Sequence, residues 1–198
     1  MKPKIPPPLG LALTHLRSSL GWGQKRLAAA YGVGSIFEGA SRSVLLLLTV
    51  EGRALTARQE ARRNWERLKR HPPARRRALV EGKPELRSWA LCELLCAESI
   101  RAAADDADRA VELADLALRI ADLTPGEQTW CWRVQGYAWA HVGNARRVKG
   151  DLPGADEGFS TSEMLWKAGA PGDPGILDQA LVLGLEASLR IEQNRLKE

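Results

Sequence analysis

Residues 139–162 read WAHVGNARRVKGDLPGADEGFSTS and hold two helix-forming segments separated by a turn signal. Alanine, leucine, glutamate and arginine dominate the long segments of the chain, and these residue types favour helix. Gly150 and Asp151 interrupt the pattern, because both residue types tolerate a tight turn. The segment predicts one helix from about Glu127 to Lys149 and a second from Pro153 to Lys167.

The same order of large apolar residue, small residue, arginine and turn occurs three times. The middle copy comprises Trp139, Val142, Gly143, Arg146, Gly150, Ala155, Phe159 and Ser162. The copy 45 residues earlier comprises Leu94, Ala97, Glu98, Arg101, Asp105, Ala110, Ala114 and Ala117. The copy 44 residues later comprises Leu183, Glu186, Ala187, Arg190 and Asn194. Small residues at a spacing of i, i+4, i+7 predict that each second helix packs closely against the first.

Every other long segment also favours helix, and none shows the alternation of a half-buried strand. Pro72 and Pro73 end a basic helix, because proline cannot continue a helix. The remaining predicted elements are helices at Leu11–Leu20, Gln24–Tyr31, Ser43–Val50, Thr56–Lys69, Pro84–Ala104, Asp106–Asp122 and Ile176–Leu196, with a further turn at Arg75–Val80.

The middle copy resembles a tetratricopeptide repeat in the spacing of its residues. It departs from that family in two respects: an arginine, Arg146, replaces the usual aromatic residue, and the repeat step is 44 to 45 residues instead of about 34. In tetratricopeptide proteins the first helices of the hairpins line a groove that binds a protein or peptide. The resemblance implies groove residues at Ser99, Arg101, Asn144, Arg146, Arg147, Ser188 and Arg190. The alternative is that the arginines pair with carboxylates of adjacent helices.

The N-terminal part resembles the first two helices of a lambda-repressor-like helix-turn-helix domain. The matching pattern is Leu13-x-x-Leu16-Arg17-x-x-Leu20-Gly21-Trp22-Gly23-Gln24-Lys25-x-Leu27-Ala28-x-x-x-Gly32-Val33. The recognition helix that follows is about one turn short, and Gly34 weakens its helical propensity by about 1 kcal/mol. The head is therefore degenerate. The resemblance implies DNA contacts at Arg17, Gln24, Lys25, Ser35, Ser41 and Arg42, with Arg58, Arg62, Arg63, Arg67, Lys69 and Arg70 of the basic helix along the phosphates.

Together these features predict an all-α fold with a degenerate helix-turn-helix head followed by an antiparallel helix-hairpin, tetratricopeptide-like solenoid. Its expected parts are the head (1–52), a basic helical linker (53–83) and helical repeats with an incomplete last copy (84–198). The expected function is that of a protein-interaction module in a bacterial DNA-binding transcriptional regulator. The alternative is a pure helical-repeat scaffold whose vestigial head no longer binds DNA.

The charge of the chain is divided unevenly along its length. Residues 1–77 carry a net charge of +12 and residues 78–198 a net charge of −7, within a total of +5. A basic segment of this kind points to nucleic acid or another polyanion, or else forms a solvated linker. A membrane-surface helix is disfavoured, because Leu55, Trp65 and Leu68 give the basic helix only a narrow apolar face.

Catalysis, metal binding and cofactor binding are not expected. The histidines His15, His71 and His141 lie far apart without a recognisable nucleophile or ligand pattern, and no phosphate-binding loop is present. The three cysteines are expected to be reduced core residues of a cytoplasmic protein. No run of apolar residues reaches the length of a membrane span.

The last predicted helix carries apolar residues that need a cover. Leu181, Leu185 and Leu189 are expected to form an uncovered face, because the chain provides no second helix for this copy. A terminal helix of a solenoid normally has a polar outer face. Either the chain is a shortened relative of a longer protein, or it associates with itself through this helix.

Overall fold

The computed structural model describes residues 34–193, with side chains from Val50 onward. In this part of the chain all regular structure is helical and no strand occurs, which confirms the all-α class. The helices are α1 Gly34–Leu68, α2 Pro73–Gly82, α3 Trp89–Ala102, α4 Ala107–Leu123, α5 Gln128–Val148, α6 Leu152–Ala168 and α7 Gln179–Glu192. Short 3₁₀ turns occur at Pro84–Leu86 and Ala170–Gly172.

Local sequence explains where most helices begin. Four helices begin with a side chain that accepts a hydrogen bond from a backbone N–H group of the first turn. These capping residues are Ser88 for α3, Asp106 for α4, Asp151 for α6 and Asp178 for α7. Such caps satisfy amides that have no partner within the helix. Gly150 adopts a φ of +88° in the turn between α5 and α6, a conformation that favours glycine.

Three predicted boundaries are wrong. The two helices expected at Ser43–Val50 and Thr56–Lys69 form one continuous helix, α1. A single glycine between them, Gly52, weakens a helix without ending it, and no proline or cap is present there. The segment expected as a helix from Pro84 starts with a 3₁₀ turn, and α3 begins only after the Ser88 cap. The last helix begins at Gln179 instead of Ile176, because Asp178 caps it.

The predicted helices Leu11–Leu20 and Gln24–Tyr31 lie outside the described residues. The chain forms two compact units, Met1–Val50 and Glu51–Glu198. Within the second unit, the basic segment supplies Ala61, Trp65 and Leu68 to the core. No helix of the described range is long and apolar enough to span a membrane.

Helices α5 and α6 form a tightly packed antiparallel hairpin. A Cβ atom built at Gly136 would lie 2.9 Å from the backbone nitrogen of Trp166, and one at Gly143 would lie 3.1 Å from the carbonyl oxygen of Ala155. The two helices therefore run in opposite directions, so earlier residues of α5 pack against later residues of α6. The prediction that α4 and α6 each pack through one face is confirmed, because all residues of these two faces are buried. They are Ala110, Ala114 and Ala117 of α4 and Ala155, Phe159 and Ser162 of α6. Helix α5 also contacts α3, α4 and α7.

The expectation that Leu181, Leu185 and Leu189 of the last helix form an uncovered face is wrong. Leu189 of α7 is fully buried, and Leu181 and Leu185 are half-buried against the same core. The large apolar side chains exposed on α7 are instead Leu183 and Ile191. The helix has apolar residues on both sides, and the larger leucine face packs inward because it buries more apolar surface.

Candidate functional site

The C-terminal half of α1 has two faces with different roles. Ala54, Ala61, Trp65 and Leu68 are buried, and their spacing places them on one side of the helix. On the outer side and in the turn that follows lie four exposed arginines, which we call the basic face. They are Arg62, Arg63, Arg67 and Arg70.

The arginines of the basic face have no carboxylate partner among the described residues. By contrast, every arginine between positions 88 and 193 forms an ion pair with an aspartate or glutamate, namely Arg101, Arg109, Arg119, Arg133, Arg146, Arg147 and Arg190. Unpaired guanidinium groups keep their positive charge available to a ligand, whereas paired ones are largely neutralised. The basic face therefore differs from residues 88–193, where every arginine has a carboxylate partner.

Arg58 lies in the same helix, but its guanidinium forms hydrogen bonds with residues of the helical repeats. Its Nε and Nη2 donate to the two carboxylate oxygens of Glu93 at 2.7 and 2.6 Å, and Nη2 also donates to the carbonyl oxygen of Ile176 at 2.9 Å. The guanidinium lies 5.3 Å from the ring centroid of Trp89, whose ring meets that of Trp130 edge-on. The expectation that Arg58 contacts phosphate is therefore wrong. We call the group that receives Arg58 the Glu93 cluster: Trp89, Glu93 and the carbonyl of Ile176.

The remaining DNA-contact candidates are placed only in part. Arg17, Gln24 and Lys25 lie outside the described residues. Ser35, Ser41 and Arg42 belong to the first part of α1, and their side chains are outside the described range. The short recognition helix expected after Val33 is not separate in the structure, because α1 runs without a break from Gly34 to Leu68. Lys69 is paired with Glu66 at 2.6 Å.

The polar groove candidates are buried or hydrogen-bonded within the folded chain. Ser99 is buried and its hydroxyl donates to the carbonyl oxygen of Ala110 at 2.7 Å, within the α3–α4 hairpin. Asn144 is only 3% exposed. Ser188 donates to the carbonyl oxygen of Gly184 at 3.0 Å. Ser99 and Asn144 therefore lie inside the packed body instead of on an open surface.

Each arginine candidate of the groove pairs with a carboxylate, as the alternative interpretation predicts. Arg101 pairs with Glu98 of its own helix. Arg146 donates to the carbonyl oxygen of Gly154 at 3.1 Å and lies 3.6 Å from Glu157. The last two join different helices: Arg147 pairs with Glu192, and Arg190 pairs with Asp156. These pairs connect α5 and α6 to α7, so the predicted row of positive charge is neutralised in the folded chain.

Sequence reasoning missed the Glu93 cluster. Trp89 and Glu93 stand four residues apart on α3, so they share a helix face, and this spacing was the available signal. Arg58 lies 35 positions before Glu93 in the chain. Nothing in the local sequence separates this arginine from its basic neighbours, so only the fold identifies it.

His141 is the most deeply buried ionisable side chain of α5. His141 is fully buried, its ring centroid is 4.7 Å from that of Tyr137, and neither ring nitrogen has a hydrogen-bond partner among the described residues. Burial lowers the pKa of His141 to about 3 from its usual 6.5, because the charged imidazolium is poorly solvated there. The side chain is neutral in the folded protein at neutral pH.

This burial predicts a pH-dependent stability. The unfolded chain binds a proton at His141 near pH 6.5 and the folded chain only near pH 3, so the free energy of unfolding should fall as the pH drops through this window. The slope due to this group is about 1.4 kcal/mol per pH unit. Urea unfolding at several pH values should show that His141→Phe removes this slope. The exposed His71 is the matched control: if His71→Phe and His141→Phe change the pH profile equally, the assignment to His141 is wrong.

Comparisons of the chain with protein-family models, curated proteins and solved structures find no match.

Proposed function

We propose that the chain is a tetratricopeptide-type interaction body within a bacterial DNA-binding regulator, and that the basic face of α1 contacts the phosphate backbone of duplex DNA. The observation that carries the DNA contact is the set of four exposed arginines without carboxylate partners, which contrasts with residues 88–193, where every arginine is paired. Phosphate contacts of this kind position a protein on DNA without reading its sequence.

The geometry of the basic face suits an extended polyanion. Arg63 and Arg67 are one helical turn apart, which is about 6 Å along the helix axis, and Arg70 continues the series in the following turn. A helix with this spacing can place several guanidinium groups along one strand of phosphates. Each phosphate neutralised releases counterions, so the affinity should depend strongly on salt.

The body supplies the interaction part of the proposal. Two closely packed hairpins and the repeated residue pattern support the tetratricopeptide resemblance. Residues 78–198 carry a net charge of −7, and this acidic charge favours a partner that presents basic side chains. The alternative function is a scaffold that makes such contacts without binding DNA.

The DNA contact can be tested by fluorescence anisotropy with a labelled duplex at several salt concentrations. We expect the full chain to bind with an affinity that falls steeply with salt. Replacing Arg63, Arg67 and Arg70 with glutamine should weaken binding equally for unrelated duplex sequences and reduce the salt slope by about 3, one for each phosphate contact.

The matched control replaces three paired arginines, Arg101, Arg109 and Arg119, with glutamine. This variant has the same net charge as the basic-face variant, so an effect of charge alone would appear in both. An equal loss of affinity in the two variants would contradict a specific role of the basic face. No detectable binding by the unmodified chain at low salt would favour the scaffold function.

A further inference from the structure

The outer face of α7 is apolar along its whole length. The stripe consists of Ala180, Leu183, Gly184, Ala187 and Ile191, and we call it the α7 stripe. Its members recur at the spacing of one helix face, and all five residues are exposed, with Leu183 at 56% and Ile191 at 57%. Nothing in the described part of the chain covers this face.

The α7 stripe corresponds to a face that is covered in the preceding hairpin. The 44-residue step of the repeat places Ala180 at the position of Gly136 and Ala187 at the position of Gly143. In α5 these glycines form the surface on which α6 lies, with a Cβ at Gly143 only 3.0 Å from the Phe159 ring. Helix α7 thus presents the packing face of a hairpin without a second helix from the described residues.

We propose that a second copy of this chain covers the α7 stripe, with the two α7 helices packed antiparallel about a two-fold axis near Ala187. In this arrangement Leu183 of one copy meets Ile191 of the other. Gly184 and Ala187 lie at the centre, where small side chains allow the helices to approach closely. A Cβ at Gly184 would meet nothing within 4 Å in the single chain, so the space for a neighbouring helix is open.

The charges beside the stripe favour the antiparallel direction and a second copy as occupant. Glu186 and Arg190 stand one turn apart along one edge of the stripe and contact each other at 3.1 Å. Arg190 also pairs with Asp156 of α6. An antiparallel pair brings the same edge of both helices together, so Glu186 of each copy approaches Arg190 of the other, whereas a parallel pair sets this edge against the opposite edge and loses that contact. An isologous contact of this kind is closed, since the same surface serves both copies.

Sedimentation velocity over a range of concentrations tests whether the dimer forms. We expect the unmodified chain to show a concentration-dependent monomer–dimer equilibrium. Leu183→Glu combined with Ile191→Glu should weaken dimerisation at least tenfold, because like charges then meet at both ends of the contact. The control is Met164→Glu, a change at a 61% exposed residue of α6, which should leave the equilibrium unchanged. A monomer at all concentrations, or an equal effect of Met164→Glu, overturns the proposal.

Cysteine cross-linking tests the geometry. Ala187→Cys should form a disulfide-linked dimer on mild oxidation, because the two-fold axis brings the two thiols together. Leu183→Cys alone should not, whereas a mixture of Leu183→Cys and Ile191→Cys chains should form the mixed dimer. The unmodified chain, with its three native cysteines, provides the background. A cross-linked dimer of Leu183→Cys alone would indicate a parallel pair, and no cross-link in any variant would place the contact elsewhere; either result overturns the proposal.

Discussion

Replacing Gly136 or Gly158 with alanine is expected to lower the free energy of unfolding by about 2 kcal/mol or more. A Cβ at Gly136 would lie 2.9 Å from the Trp166 backbone nitrogen, and a Cβ at Gly158 would lie 2.8 Å from the Cα of Gly143. These neighbours are backbone atoms, so they cannot rotate out of the way, and α5 and α6 must move apart. The hydrogen bond from the Ser162 hydroxyl to the Gly136 carbonyl, now 2.7 Å, would lengthen with them.

The same substitution at Gly52 should have the opposite sign. Gly52 lies inside α1, and a Cβ there would meet nothing within 4 Å. Alanine is the better helix former, so Gly52→Ala should raise the free energy of unfolding by about 0.5–1 kcal/mol. Equilibrium urea unfolding measures all three variants. If Gly136→Ala were as stable as Gly52→Ala, the close approach of α5 and α6 would be disproved.

Arg133→Ala is expected to destabilise the chain by about 3–5 kcal/mol, since it leaves a carboxylate without its partner in a mostly buried site. Arg133 is 8% exposed, and its Nε lies 2.9 Å from the Asp173 carboxylate. Its Nη1 donates to the Trp166 carbonyl oxygen at 2.6 Å, and the guanidinium lies 3.9 Å from the centroid of the Trp166 ring. This one side chain ties α5 to the end of α6 and to the connection before α7.

The matched comparison is Arg119→Ala. Arg119 pairs with Glu81 at 3.0 Å, but these side chains are 35% and 42% exposed, and a solvent-accessible pair of this kind contributes at most about 1 kcal/mol. Thermal or urea unfolding should therefore separate the two variants clearly. Arg133→Lys should recover only part of the loss, because lysine lacks the planar group that bonds two acceptors and stacks on the indole. Equal effects at positions 119 and 133 would contradict the buried role of Arg133.

The helical architecture could be predicted from local signals, but the use of each side chain could not. Gly150, the two prolines after His71 and the capping aspartates mark turns within the chain itself, so most hairpin helices were placed within a few residues. The pattern also predicted the small-residue faces of α4 and α6. These features depend on residues that are close in sequence.

Other features depend on partners that are far away in sequence. Arg58 and Arg63 are both arginines of α1, yet Arg58 pairs with Glu93 whereas Arg63 is exposed to water. On α7, leucines occupy two sides, and hydrophobicity alone does not tell which side the body covers. The DNA-contact candidates before Gly34 stay predictions, as does the partner groove, whose arginines are all paired in the structure.

The contact between Arg58 and Ile176 has a consequence for the order of folding. The two residues are 118 positions apart, whereas the hairpins are made from neighbours in sequence, which close short loops and form fast. During synthesis α1 also leaves the ribosome well before Ile176 is made, and domains begin to fold as they emerge. The hairpins can thus assemble first, and α1 completes its docking last, when the full binding surface for Arg58 exists.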